Sequence, residues 1–296
     1  MNETVGIIGL GIMGGAIASN LKRSGQAVRG FDIDPAARQR AAENKVDLAD
    51  SIGSLLETSS IVMTSLPSFK AAQGVIREIA EAGGPGRVIV ELSTFSLAEK
   101  TSLRDEAAGA GHVLIDCPLS GTGAQAVTGD IVVYASGDAS AIRRCEAVFG
   151  RFSKRCFSLG EFGNGTKLKL IANHLVAIHN VASAEAMVLA MKAGLDPHQV
   201  VEVIGAGAGT SRVFEMRAPL MAGNQYEPPT MQVETWFKDM DVIAAFARAL
   251  KSPTPVFDST LAIYAAAGSM GYGAVDTASV CAVLERMAGL VRPPAK

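Results

Sequence analysis

A glycine-punctuated turn near the start of the chain constrains its fold more than any other segment. Residues 5–8 are apolar, and the residues after the turn follow a helical pattern that stops at Gly25. The turn has the spacing G-x-G-x-x-G and reads Gly9, Leu10, Gly11, Ile12, Met13, Gly14. The first glycine allows a tight bend, the second lets the backbone approach a pyrophosphate, and the third lets the helix pack on the strand. The helix then offers free N–H groups and a partial positive charge to phosphates. This pattern predicts dinucleotide binding.

An acidic residue at the end of the next strand indicates which dinucleotide is bound. Residues 26–31 are expected to form a strand, and Asp32 lies 21 positions after Gly11. This is close to the offset of about 20 residues expected of an acid that binds ribose hydroxyls. A carboxylate repels the 2′-phosphate of NADP, and no cation directly follows Asp32, so the sequence predicts NAD. Asp34, which precedes Pro35, is expected to cap the next helix.

Composition excludes several classes of partner. The 296 residues are 48% hydrophobic and 19% charged, enough for a large core and about two domains. The net charge is −2 and the sequence pI is near 6.1, which argues against nucleic acid or an anionic membrane as a main partner. We expect no membrane span, since no apolar run reaches about 18 residues, and no signal peptide, since the first strand begins almost at once.

The thiols and imidazoles predict neither disulfides nor a metal. The four cysteines form no C-x-x-C pair, and the four histidines have no metal-ligand spacing. We therefore expect reduced thiols, a cytoplasmic location and no metal ion.

The pattern of apolar residues changes part-way along the chain. Up to about residue 160, short apolar runs at 61–66, 88–92, 113–115 and 131–135 alternate with helical stretches. This predicts an α/β fold, with a Rossmann-type doubly wound sheet over residues 1–163. Ligands of such sheets bind beyond the carboxyl ends of the strands, so Leu66, Pro67, Ser93 and Thr94 are expected to line the cofactor cleft. Ser93 and Thr94 are equally consistent with simple helix capping.

The rest of the chain, residues 164–296, is expected to be an all-α domain for substrate binding and oligomerisation. It begins with one long helix over residues 167–193, about 40 Å at 1.5 Å per residue, which joins the two domains. Only Pro293 and Pro294 are expected to be disordered.

Three further segments are candidates for the chemistry. Residues 116–123 form a glycine-rich turn after a strand, and such a turn suits a carboxylate, although an ordinary turn explains it equally well. Residues 160–169 open the long helix, on which Lys169 and Asn173 share a face. Lys238 follows the only tryptophan. Taken alone, each lysine is more typical of a solvated surface.

These motifs, taken together and in order, resemble those of the β-hydroxyacid dehydrogenase family, which includes 3-hydroxyisobutyrate dehydrogenase, tartronate semialdehyde reductase and 6-phosphogluconate dehydrogenase. The resemblance covers essentially the whole chain. It implies that Lys169 is the general acid/base, that Asn173 helps to bind substrate, and that Lys238 lies near substrate and nicotinamide. It also implies that Ser120 and Gly121 hold the substrate carboxylate, and we expect Thr122 to bind it with them.

The chain departs from the family pattern at two positions, Thr122 and Ala172, where a glycine and an asparagine are usual. The reaction that the resemblance implies is hydride transfer between NAD and a small hydroxy acid or semialdehyde of three or four carbons. It also implies a homodimer or homotetramer.

Two alternatives of the same fold remain open at this point. One is an NAD-binding sensor or interaction module without catalysis, and the other is an imine reductase, which usually lacks the lysine. Arg212 and Arg217 are candidates to bind a second anion of the substrate, or are structural.

Overall fold

The structure is a computed structural model that describes residues 3–292. The chain divides into two compact units, Met1–Lys169 and Leu170–Lys296. The proline pair at 293–294, for which we predicted disorder, lies outside the described residues.

The main sheet of the first unit has six parallel strands in the order β3-β2-β1-β4-β5-β6. The strands are β1 (Thr4–Ile8), β2 (Val28–Phe31), β3 (Asp47–Leu48), β4 (Ser59–Thr64), β5 (Val88–Glu91) and β6 (Val113–Asp116). The order reverses between β1 and β4, and ligands of open α/β sheets bind at such a switch point. This is the doubly wound architecture that the sequence predicted.

Helices cover both faces of this sheet. They are α1 (Ile12–Arg23), α2 (Pro35–Glu43), α3 (Ile52–Leu56), α4 (Phe69–Ala82), α5 (Leu97–Gly109), α6 (Gly123–Thr128) and α7 (Ala139–Phe149). Successive strand residues enter opposite cores: Ile7 packs in one core with α1, and Ile8 packs in the other with α4. Burial on both faces explains why the strands read as continuous apolar runs.

One predicted strand lies outside the main sheet. The run 131–135 contains β8 (Val132–Ala135), which belongs to a second sheet with β7 (Leu119–Ser120) and β9 (Arg155–Ser158). β8 runs antiparallel to β7 and parallel to β9. β7 follows β6 almost directly, and β8 then runs back along β7 in the antiparallel direction. The chain therefore forms a small mixed sheet here and does not add a seventh parallel strand to the main sheet.

A single long helix, α8 (Asn164–Lys192), begins three residues before the predicted start. One face packs in the core of the second unit, with Ala177 and Ala184 fully buried. The opposite face carries apolar residues that are exposed: Leu168, Ile171, Leu175 and Leu189. Their spacing of three, four and fourteen residues places them in one stripe along the helix.

Within residues 3–292, α8 is the one helix long and apolar enough to qualify as a membrane span by length and composition, with a mean hydropathy of 1.3 over an 18-residue window. The expectation concerned an uninterrupted apolar run of about 18 residues, and α8 contains none, because Lys169, Asn173 and Glu185 interrupt it. Within that window 44% is buried inside the protein. Core helices of soluble proteins have the same length and apolarity, so the property is weak evidence for a membrane.

The second unit is helical, as predicted. Its further helices are α9 (Pro197–Gly205), α10 (Arg212–Gly223), α11 (Val233–Ala249), α12 (Pro255–Ala267) and α13 (Val280–Met287), with a π-helical turn at Gly268–Tyr272 and a 3-10 turn at Thr277–Ser279. Trp236 and Tyr264 are among the large side chains of its core. Within this core, Asn180 donates to the Tyr264 hydroxyl at 2.9 Å.

Candidate functional site

The glycine turn after β1 has the geometry that its spacing predicts. Gly9 has a φ of +94°, and a Cβ there would overlap the carbonyl oxygen of Ser65. A Cβ on Gly14 would overlap the carbonyl oxygen of Gly9, because α1 packs directly on the turn. Gly11 differs from both, since no atom lies within 4 Å of a Cβ built on it. The first and third glycines are thus required by the chain itself, whereas the second leaves an open approach to the backbone.

Asp32 follows β2, the neighbour of β1, and its carboxylate ties the turn together. Oδ2 accepts from the backbone N–H of Leu10 at 2.6 Å, and Oδ1 accepts from that of Asp34 at 2.8 Å. A carboxylate has about four acceptor sites, so capacity remains on both oxygens. Asp34 caps α2 as predicted, by accepting from the N–H groups of Ala36 and Ala37.

The sequence did not reveal that a cation lies beside this segment. Arg38 donates to the carbonyl of Ala49 at 3.0 Å and lies 3.5 Å from that of Asp32. Its guanidinium is also 4.0 Å from the Asp50 carboxylate.

The loops after β4 and β5 follow neighbouring strands at the same edge of the sheet as the glycine turn. Ser93 joins them, because its hydroxyl accepts from the N–H of Leu66 at 2.9 Å. Leu66 and Thr94 are partly buried and Pro67 is exposed. Ser96, not Ser93 or Thr94, caps α5, in a reciprocal capping box with Glu99. The capping interpretation of Ser93 and Thr94 was therefore wrong.

The glycine-rich turn at 116–123 runs from the end of β6 to α6. Ser120 is partly buried at the end of β7, and Gly121 has a φ of +141°. Thr122 is the N-cap of α6, and its N–H donates to Gln125 Oε1 at 2.9 Å. Its hydroxyl also contacts Gln125, as donor at 3.3 Å and acceptor at 3.4 Å. Both polar groups of Thr122 therefore hold the turn.

The first turn of α8 is capped by an aspartate from a distant part of the sequence. Asp116 Oδ2 accepts from the N–H of Thr166 at 2.8 Å, and Oδ1 accepts from the Thr166 hydroxyl at 2.8 Å. The Ser136 hydroxyl accepts from the N–H of Gly165 at 2.9 Å and donates to Asp116 Oδ2 at 3.1 Å. These bonds satisfy two of the N–H groups that a helix leaves without intrahelical partners.

Two lysines follow this capped turn. Lys167 donates to the side-chain oxygen of Asn164 at 3.0 Å. Lys169 is partly buried.

Asp116 also belongs to a buried charge cluster. Asp116 is the register partner of Glu91 at the carboxyl ends of β5 and β6, and both are 0% exposed. Lys100, on α5, is likewise 0% exposed; it forms an ion pair with Glu91 and lies 3.1 Å from Asp116 Oδ1. Because neighbouring carboxylates repel each other, the ammonium group stabilises both.

The cluster shifts the pKa values of its members. Burial raises the pKa of Glu91, and Lys100 offsets only part of that effect. Burial by itself would lower the pKa of Lys100, but the nearby carboxylates of Glu91 and Asp116 outweigh it, so the pKa is raised. Lys100 is therefore a cation at neutral pH.

The second unit contains the other predicted site residues. Asn173 lies one helical turn after position 169, is 5% exposed, and donates to Asp239 Oδ2 at 3.1 Å. Lys238, next to Asp239 on α11, is exposed.

The two arginines considered for a second anion have acidic partners. Arg217 is buried and paired with the buried Asp276, which supports the structural interpretation. Arg212 is exposed and lies 3.0 Å from Glu215. Within residues 3–292, no three His, Cys, Asp or Glu side chains are grouped as a metal site requires.

Comparison with known proteins decides the family. The model for the NAD binding domain of 6-phosphogluconate dehydrogenase matches residues 4–160. The model for the NAD-binding region of NADP-dependent 3-hydroxyisobutyrate dehydrogenase matches residues 163–284. L-threonate dehydrogenase of Cupriavidus necator is 30% identical over 284 residues, which are 95% of each chain. The chain belongs to the β-hydroxyacid dehydrogenase family. The predictions of a dehydrogenase and of a nicotinamide dinucleotide cofactor are thereby confirmed.

Other members of the family are similar over nearly their whole length. Glyoxylate/succinic semialdehyde reductase 1 of Arabidopsis thaliana is 28% identical, over 93% of this chain and 96% of the relative. The solved structure of Mycobacterium tuberculosis 3-hydroxyisobutyrate dehydrogenase with L-serine has a TM-score of 0.86 and 26% identity, over 96% of this chain and 99% of that one.

Sequence reasoning missed the cluster that caps α8. A weak signal was available, because Glu91 is an acid inside one apolar run and Asp116 directly follows another. No signal in the sequence linked them to Lys100 or Thr166, since the contacts join residues 16 and 50 positions away from Asp116.

The geometry of the glycine turn predicts different effects for two alanine substitutions. We expect Gly14→Ala to lower the melting temperature, because its Cβ has no space. Gly11→Ala should keep the melting temperature within about 2 °C, yet weaken NAD binding at least about tenfold by blocking approach to the backbone.

Thermal denaturation and calorimetric titration with NAD check both variants. A Gly11→Ala protein that binds NAD as tightly as the unsubstituted chain would contradict this role of the turn.

Proposed function

We propose that this member of the family transfers hydride reversibly between NAD and a small hydroxy acid or semialdehyde of three or four carbons, with Lys169 as general acid/base. One observation carries the proposal. Asp116 caps the first turn of α8, one helical turn before Lys169, and it also begins the turn that contains Ser120 and Gly121. A proton-transfer group and a carboxylate-binding turn thus share one rigid attachment within the first unit.

The residues that fit a bound dinucleotide are those of the first unit. The open backbone at Gly11, with Ile12 and Met13 opening α1, suits a pyrophosphate, and Asp32 suits the ribose hydroxyls. Leu66, Pro67 and Thr94 border the same edge of the sheet, and we propose that they and Lys238 also contact the cofactor. When bound, the nicotinamide supplies the hydride chemistry, while the protein supplies orientation and electrostatics.

Lys169 Nζ is the proposed proton carrier. In the oxidative direction it accepts the proton of the substrate hydroxyl, and in the reductive direction it returns a proton to the carbonyl oxygen. An amine accepts a proton only when neutral, and a desolvated site favours its neutral form.

We propose that the substrate carboxylate binds Ser120 and Gly121. A positive φ at Gly121 is consistent with a turn that presents backbone N–H groups, and Ser120 adds a hydroxyl. Both polar groups of Thr122 are engaged with Gln125, so Thr122 shapes this turn and adds bulk beside it. We further propose that Asn173, oriented by Asp239, and Lys238 bind the remainder of the substrate.

The size of the substrate is inferred from the relatives and from Arg217. The two curated relatives described above act, by their names, on L-threonate and on glyoxylate or succinic semialdehyde, and the solved one contains L-serine. All of these molecules have four carbons or fewer. Because Arg217 is buried against Asp276, it supports no second anion site.

The role of Lys169 is tested with a matched control on the same helix. We expect Lys169→Ala to lower kcat by on the order of 10²- to 10⁴-fold, the usual contribution of general acid–base catalysis, while the Kd for NAD changes less than about twofold. Lys167→Ala removes an amine two residues away, which donates to the side-chain oxygen of Asn164, and should leave kcat nearly unchanged.

Steady-state kinetics and NAD titration measure both quantities. Equal kcat values for the two variants would remove Lys169 from the mechanism.

The preference for NAD rests on Asp32, because a carboxylate repels a 2′-phosphate. Arg38 does not reverse this expectation, since it is engaged with the Ala49 carbonyl and lies near Asp50. We expect a lower KM for NAD than for NADP. Asp32→Asn should reduce the ratio of kcat/KM for NAD to kcat/KM for NADP at least about tenfold, because it removes the repulsive charge. Asp34→Asn, which keeps a helix cap, should leave this ratio unchanged.

Competing steady-state assays with both cofactors check the preference. A lower KM for NADP in the unsubstituted chain would show that the carboxylate does not select NAD.

We also propose a homo-oligomer. The exposed apolar stripe of α8 supports it, since four large aliphatic side chains along one helix face are unusual in contact with water. A monomer in light-scattering measurements at micromolar concentration would contradict it.

The four free cysteines support a reducing, cytoplasmic compartment. A disulfide in the native protein, found by mass spectrometry, would contradict this location.

A further inference from the structure

A contribution to fold stability alone does not explain the buried cluster of Glu91, Lys100 and Asp116. All three side chains are 0% exposed. Buried ion pairs are often no more stabilising than apolar residues of similar volume, although removing one partner of a pair is strongly destabilising. A cluster of this kind therefore fixes a geometry more effectively than it adds stability.

The geometry that it fixes is the start of α8. Both oxygens of Asp116 are used: Oδ1 lies 3.1 Å from Lys100 Nζ and accepts from the Thr166 hydroxyl, while Oδ2 accepts from the Thr166 N–H. Lys100 and the start of α8 thus contact the same carboxylate, and both contact its Oδ1. Gly165 allows the close approach, because a Cβ there would overlap the Tyr134 carbonyl oxygen.

The side chain of Thr166 sets the rotation of the helix about its own axis. Residues three and seven positions later, Lys169 and Asn173, lie on the same face of α8 as Thr166. Fixing Thr166 against Asp116 therefore fixes the direction in which Lys169 leaves the helix.

We propose that Lys100 is a positioning residue for Lys169. It acts through Asp116 and Thr166, which fix the position of the first turn of α8. This inference rests on the proposed function of Lys169. Every contact in the chain of interactions lies within the first unit. Displacements of about 1 Å in a reacting group reduce turnover by on the order of 10²-fold, so a small reseating of this turn should be visible in kcat.

Two sets of variants interrupt the chain of interactions at different points. Thr166→Val removes the hydroxyl with little change in shape, and Thr166→Ser keeps it as the matched control. The double variant Glu91→Gln/Lys100→Met removes both charges of the ion pair. Glu91 is then not left as a second buried carboxylate, beside Asp116, without a cation. If the double variant does not fold, the Thr166 pair carries the test, because it leaves the cluster intact.

The experiment is a double-mutant cycle with Lys169→Ala. We expect Thr166→Val and the Glu91/Lys100 double variant each to lower kcat by about 10-fold or more, with the KM for NAD within about twofold and Thr166→Ser close to the unsubstituted chain. In the Lys169→Ala background, the residual rate, measured in single turnovers with excess enzyme, should fall no further, because the group being positioned is gone.

Amide hydrogen exchange supplies a readout that does not depend on activity. Exchange in the peptide covering residues 164–169 should accelerate in Thr166→Val and in the double variant, with and without Lys169, but not in Thr166→Ser. An unchanged kcat, an equal loss of rate in the Lys169→Ala background, or a loss of rate without faster exchange would each overturn the proposal. If Lys169→Ala alone keeps its turnover, the proposed function of Lys169 fails, and the exchange data still report whether the cluster seats the turn.

Discussion

The capping of α8 by Asp116 is the interaction on which the candidate site depends. A carboxylate at the end of a buried strand is stable there only because it accepts from Thr166 and Ser136 and lies beside the Lys100 ammonium. The same carboxylate places negative charge against the positive end of the helix dipole. Desolvation, hydrogen bonding and charge compensation therefore act at one point, and that point precedes Lys169 by one helical turn.

The nucleotide-binding part of the fold follows a different principle, which is steric. Gly9 and Gly14 are fixed by contacts of the chain with itself, because side chains there would overlap backbone oxygens. Gly11 is not constrained in this way, so its absence of a side chain has a functional explanation and not a packing one. Asp32 adds an electrostatic tie by accepting from Leu10 and Asp34. The turn is thus rigid before any ligand binds, which reduces the entropy that binding must overcome.

Local signals explain what could be predicted from sequence. The glycine spacing, the apolar strand runs and the Asp34-Pro35 cap each act within a few residues, and the corresponding elements formed as expected. What could not be predicted depends on contacts between distant positions. The second sheet forms because β8 pairs antiparallel with β7, and the capping of α8 joins Asp116 to Thr166. The helical pattern of α8 located the helix but not its buried face, since Leu168 and Ile171 are as apolar as the buried Leu170.

The decisive measurement of function is whether the purified protein reduces NAD in the presence of small hydroxy acids. Initial rates of NADH formation would be measured across a panel of three- and four-carbon hydroxy acids, with NAD affinity determined on the same preparation. We expect saturable NADH formation with at least one member of the panel. Flat traces across the whole panel, from protein that binds NAD tightly, would contradict it and favour a module that binds the dinucleotide without catalysis.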